Sequence, residues 1–188
     1  HEVSGLTKIT SSEPLKSSNT FITSTFGSNT TFSSTNTVGS FLNEEYLTSY
    51  VGDSYNNMIE DSTTWYLGTV GEGASYKLSK YTDINMSSLT SSRAEAKVGL
   101  LRMGELMTGQ FERYAVKDGI SSTGLTTIYW TLTPYDASNV WNVSGDGNVS
   151  YYDLSTARGV RPSLNLKSNV IITSGDGTLQ NPFNITLE

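Results

Sequence analysis

The stretch "STARGVRPSLNL" (Ser155–Leu166) sets two arginines, Arg158 and Arg161, three residues apart, ahead of a proline and an alternation of leucine with polar residues. Alternation with a period of two marks a strand with one apolar face. Pro162 holds the residue before it, Arg161, in extended backbone. Residues three apart on a strand face opposite sides, so one guanidinium is directed inward and the other outward. An inward guanidinium must be paired, because an uncompensated buried charge is costly. Arg161 is therefore expected to be a structural anchor, with Glu105 or Asp153 as its acceptor. Arg158, nearer the preceding hairpin, is expected at the surface.

That hairpin is the clearest local signal in the chain. In "NVWNVSGDGNVSYYDL" (Asn139–Leu154), Val140, Asn142 and Ser144 alternate with Trp141 and Val143. Gly145–Gly147 supplies a tight turn, and Val149–Leu154 returns. Working outward, "VSGLTKIT" (residues 3–10) and "TTWYLG" (Thr63–Gly68) read as strands. Ser17–Thr37 is a polar loop pinned by Phe21, Phe26 and Phe32, or a set of short strands. Leu42, Tyr46, Leu47 and Tyr50 recur at helical spacing behind a Ser40 cap, up to Gly52. A second short helix is expected over Ser54–Asp61. A third is expected in "LLRMGELMTGQF" around Leu101, Glu105, Leu106 and Met107, after a strand at Val98–Leu101. From Thr126 onward the pattern is strands and turns. The 188 residues suit one domain, divided into an N-terminal strand and Ser/Thr-rich loop (1–38) and a main body (39–188).

Composition narrows the function classes. Serine and threonine exceed a quarter of the chain, only 16% of residues are charged, and the net charge is −6. This is the make-up of a β-rich extracellular bacterial protein. Without a cluster of lysine and arginine, nucleic acid is excluded as a partner. No apolar run is long enough to span a membrane, and a secreted parent would carry its signal and anchor outside residues 1–188. There is no cysteine, which excludes disulfides, thiolate nucleophiles and sulfur-bound metals. The one histidine is His1, read as a remnant of a tag or of the cut that defines the segment. Serine–histidine catalysis and histidine-ligated metal thus lack their key residue. The Asp-Gly turns at Asp146 and Asp176 suggest calcium, but such a site needs six or more oxygen ligands in register. They are read as turns, and no metal or cofactor is expected.

The order of "GSFLNEEYL", "MIEDSTTWYLG", "KVGLLRMGELM", "YWTLTP", "VWNVSGDGNV" and "RGVRPSLNLKSNVIITSGDGTLQNPF" resembles an uncharacterised domain of bacterial surface and pilin-like proteins. Its members end in a valine-arginine-proline strand, an apolar strand and an "sGDGt..NP" turn. The resemblance covers roughly Phe41 to Phe183. It implies an α+β fold similar to C-type lectins, with twisted antiparallel sheets, hairpins and two or three short helices. Leu101, Arg102 and Glu105, then Trp130, then Gly159–Arg161 would be its structural residues.

Such folds present ligands to the hairpin near their final strands. The residues expected there are Trp141, Asn142, Asn148, Tyr151, Tyr152 and Arg158. Aromatic faces stack on sugars and peptides, and asparagines pair with their amides and hydroxyls. Strand alternation prevents Tyr151 and Tyr152 from sharing one buried face. The reading is a non-enzymatic recognition or adhesion module on the bacterial cell surface, binding an extracellular glycan or protein. The alternatives are a structural pilin or stalk subunit, or a retroelement-diversified lectin-like receptor varied over Ser138–Tyr152. A hydrolase using a pair drawn from Glu105, Asp136, Asp146 and Asp153 is the enzymatic competitor, but no spacing selects a pair.

Overall fold

A computed structural model describes residues 5–68, 92–107, 127–144, 149–178 and 180–188. Over these described residues it is α+β, mostly sheet, with three short α-helices. The two arginines of the opening stretch sit at the junction of its two largest sheets.

The first of these has three strands. β1 (Thr7–Thr10) pairs antiparallel with β12 (Ser163–Leu166), which pairs on its other side with β7 (Val98–Gly99). The second has five, in the order β10 (Val149–Asp153), β9 (Asn139–Val143), β8 (Tyr129–Pro134), β11 (Arg158–Gly159) and β4 (Thr23–Ser24). All its pairings are antiparallel except β11 with β8. Also described are two hairpins, β2 (Lys16–Ser17) with β3 (Thr20–Phe21) and β13 (Val170–Ser174) with β14 (Asn184–Leu187), and one antiparallel pair, β5 (Thr63–Tyr66) with β6 (Arg93–Ala96). The N-terminal 38 residues are thus woven into both large sheets through β1 and β4.

Helix α1 (Thr37–Asn43) starts three residues before the expected Ser40. Its cap is Asn36, whose side chain accepts from the Gly39 amide at 2.8 Å. The helical periodicity beyond it becomes a π-turn at Leu47–Val51 and then α2 (Asp53–Asn56), separated at Gly52. Asn43 locks α1 to the sheet: its Oδ1 accepts from the amides of Lys97 and Val98, both at 3.0 Å. Helix α3 is Met103–Met107.

The core forms on both faces of the five-stranded sheet. On one side lie Phe26, Phe32, Val38, Leu42, Trp130, Leu132 and Val140, continuous with Trp65, Val98 and Leu164. On the other lie Met103, Leu106, Tyr129, Trp141 and Val143. Trp130 is fully buried; its indole donates to Ser24 O at 2.9 Å and its ring meets Phe26 edge-on. Trp65 lies against β7 at Gly99, where a Cβ would come within 2.6 Å of the indole. Glycine is the residue that leaves room there.

The last hairpin explains the "SGDGTLQNPF" ending in physical terms. Asp176 accepts from the Thr178 amide at 3.0 Å, forming an Asx turn. Gly177 has φ 81°, and a Cβ on it would lie 2.6 Å from the Phe183 ring. The motif is a turn with a ring folded over it.

Candidate functional site

Strand β10 is the edge of the five-stranded sheet and carries two adjacent exposed tyrosines, Tyr151 at 41% and Tyr152 at 39%. Adjacent side chains on a strand point to opposite faces, and an edge strand leaves both faces open to solvent. Each ring is held by a partner. Tyr151 stacks on Tyr135 with centroids 3.6 Å apart and planes 6° apart, and both rings meet the Trp141 indole edge-on. On the other face, the Arg158 guanidinium lies 3.9 Å from the centroid of the Tyr152 ring.

Two of the expected ligand residues are not at the surface. Trp141 is 2% exposed and Asn142 is fully buried, which corrects their assignment to a display surface. β9 lies between β10 and β8 with core on both faces, so neither parity of its side chains reaches solvent. The signal was present in Asn139–Val143, where apolar residues occupy both parities; that is the pattern of a strand buried on both sides. Trp141 contributes instead as the floor beneath Tyr135 and Tyr151. Tyr135 is the site residue that sequence reasoning missed. Asn148 and Asp146 lie outside the described residues, as does the turn they belong to.

Arg161 is buried, and its acceptors differ from those expected. Nε donates to Ser11 O at 2.8 Å and Nη1 donates to the Tyr129 hydroxyl at 3.3 Å, with the guanidinium also 5.4 Å from the Tyr129 ring centroid. Asp153, the other expected acceptor, is exposed and engaged with its own turn through Ser155. Glu105 serves a different pair of cations: its Oε1 takes Lys8 Nζ at 2.6 Å and Arg102 Nη1 at 2.9 Å. Arg158 keeps its guanidinium on the Tyr152 ring, while its Nε is buried without a hydrogen-bond partner among the described residues.

The carboxylates considered for hydrolysis or calcium have local tasks. Backbone donation from Ser138, followed by the Asn139 amide, holds the Asp136 carboxyl below the usual aspartate range. Hydroxyl and then backbone donation from Ser155 does the same for Asp153, and backbone donation from Thr178 leads for Asp176. All three are turn-forming acceptors. Among the described residues, no group of three or more His, Asp and Glu side chains gathers where a metal could sit, and no helix is long and apolar enough to cross a membrane.

A second surface feature is apolar. A groove of about 610 Å³ runs between β1 and the last hairpin, lined by Leu6, Ile9, Leu166, Ile172, Phe183 and Ile185 among others.

An α+β body with an aromatic edge strand is the class that this geometry defines. Residues 27–168 match a family model described as Domain of unknown function (DUF6273). The match takes in well over half of the chain, and the chain belongs to that family. It runs from before α1 through β12 and stops before β13. No curated protein and no solved structure matches the chain.

Proposed function

We propose that the protein is a non-enzymatic recognition or adhesion module of the bacterial cell surface, lectin-like in fold, that binds an extracellular glycan or protein through β10 and Arg158. The observation that carries this reading is the pair of neighbouring tyrosines on an edge strand, each half-exposed and each fixed by its own stack. Rings ordered before binding lose little freedom on contact and present both an apolar face and a hydroxyl. The polar, weakly charged composition supports an extracellular setting. The turn-bound state of Asp136 and Asp153 supports a binding role over a hydrolytic one.

A screen of the intact protein against glycans and extracellular matrix proteins tests this. Tyr152→Ala is expected to weaken the binding found by about tenfold or more, with its melting temperature close to the parent's. A parent that binds nothing in the screen, a Tyr152→Ala variant that binds as the parent does, or sustained turnover of a bound glycan or peptide overturns the reading.

A further inference from the structure

The first and twelfth strands place a lysine and an asparagine opposite each other. In the β1–β12 register Lys8 pairs with Asn165. Directly opposed side chains share a face of the sheet, with Cβ atoms about 4.5–5.5 Å apart. The four-carbon stem of lysine can span that gap. The shared face is closed over by β5: the Trp65 ring centroid lies 4.6 Å from Lys8 Nζ, and Thr63 Oγ1 accepts from Asn165 Nδ2 at 3.0 Å. The lysine side chain is 12% exposed and Asn165 as a residue 1%. Asn165 Oδ1 is buried with no hydrogen-bond partner among the described residues.

The third member arrives from α3. Glu105 Oε1 lies 2.6 Å from Lys8 Nζ, and Arg102, one helical turn back, holds the same oxygen at 2.9 Å. An ion pair accounts for Lys8 and Glu105 alone. It does not account for a buried carboxamide, oriented through its nitrogen and with a free carbonyl, on the register partner of that lysine. The Lys8 amine thus lies under the Trp65 indole and against the Glu105 carboxylate, on the face of the ladder that its register partner Asn165 shares.

We propose that Lys8 and Asn165 condense into an intramolecular isopeptide bond, with Glu105 as the proton carrier. The ammonium of Lys8 gives a proton to the Glu105 carboxylate across their direct contact. The neutral amine then attacks Asn165 Cγ; in the tetrahedral adduct Nδ2 takes up the proton held by Glu105 and leaves as ammonia, which becomes ammonium by accepting the second proton lost from Nζ. One Nζ–Cγ bond forms and one Cγ–Nδ2 bond breaks, so a lysine ammonium and a carboxamide become a secondary amide and an ammonium ion. No oxidant, metal or cofactor takes part.

Intact-mass spectrometry of the full, folded chain tests this directly. The parent is expected to weigh less than its sequence by one ammonia, and a digest to contain a branched peptide joining Lys8 to Asn165. Lys8→Arg and Glu105→Gln are expected to restore the full mass while keeping the parent's circular dichroism spectrum. A parent at full sequence mass after prolonged incubation overturns the proposal. So does an ammonia loss with no branched peptide, which is what succinimide formation at an asparagine would give. A Glu105→Gln chain that still carries the link refutes the role given to Glu105.

Discussion

Replacing Arg161 by alanine removes a buried guanidinium whose donations include Ser11 O ahead of β2 and the Tyr129 hydroxyl on β8. Hydrogen bonds from a charged donor contribute about 1.5–3 kcal/mol each. The contact with the Tyr129 ring adds roughly 0.5–1 kcal/mol. The alanine variant also leaves the Ser11 carbonyl without this donor. These terms sum to roughly 3.5–7 kcal/mol, and about 4 kcal/mol lies within both that range and the roughly 3–5 kcal/mol lost when one member of a buried charged pair is deleted. At about 2–4 °C per kcal/mol for a chain of this size, the melting temperature should fall by about 8–16 °C. Arg158→Ala is the internal control from the same twelve residues. It forfeits one cation–π contact worth about 0.5–1 kcal/mol and relieves a buried, unpartnered Nε. Its melting temperature should stay within a few degrees of the parent's. Parallel calorimetric scans of parent and both variants decide. If Arg161→Ala and Arg158→Ala melt together, the inward–outward division of the two arginines has no energetic content.

Two further outcomes follow from close packing and from turn chemistry. Gly99→Ala would drive a methyl group to 2.6 Å from the Trp65 indole, so it should cost about 1–3 kcal/mol by overpacking, read as a lower denaturation midpoint with an unchanged slope. Asp176 has a folded-state pKa below its unfolded value, chiefly through the Thr178 amide. The stabilisation it supplies is therefore present above the ordinary aspartate pKa and is lost as pH falls through the lowered folded value. Amide-exchange protection in β13 and β14 should drop in that acidic window, and Asp176→Asn should remove that pH-dependent component.

Local signals in the chain were legible where one face or one turn decides the outcome. The β9–β10 hairpin, the strand at Thr63–Tyr66 and the helix around Glu105 follow from alternation and periodicity over a few residues. The Ser40 cap did not hold, because Asn36 competes for the same helix end and its side chain reaches the Gly39 amide. The burial of Trp141 and Asn142 depends on β9 standing between β10 and β8 with core packed on both faces of the sheet. Nothing within residues 139–143 encodes it apart from the apolar residues on both parities. The acceptors of Arg161 were missed for a similar reason. A backbone carbonyl 150 residues away, at Ser11, has no side-chain signature. Lys8 and Asn165 are each unremarked in their own surroundings and acquire meaning only through the pairing of β1 with β12.

The direction of that pairing also governs how the molecule would carry a mechanical load. Thr7 opposes Leu166 at one end of the ladder and Thr10 opposes Ser163 at the other. Tension applied through the backbone before Thr7 and after Leu166 therefore pulls on the same end, and the ladder unzips one rung at a time instead of shearing with its rungs loaded together. A covalent tie at the second rung, Lys8 to Asn165, would halt that peeling after a single pair. All of the chain between those two residues would then be shielded from the pull.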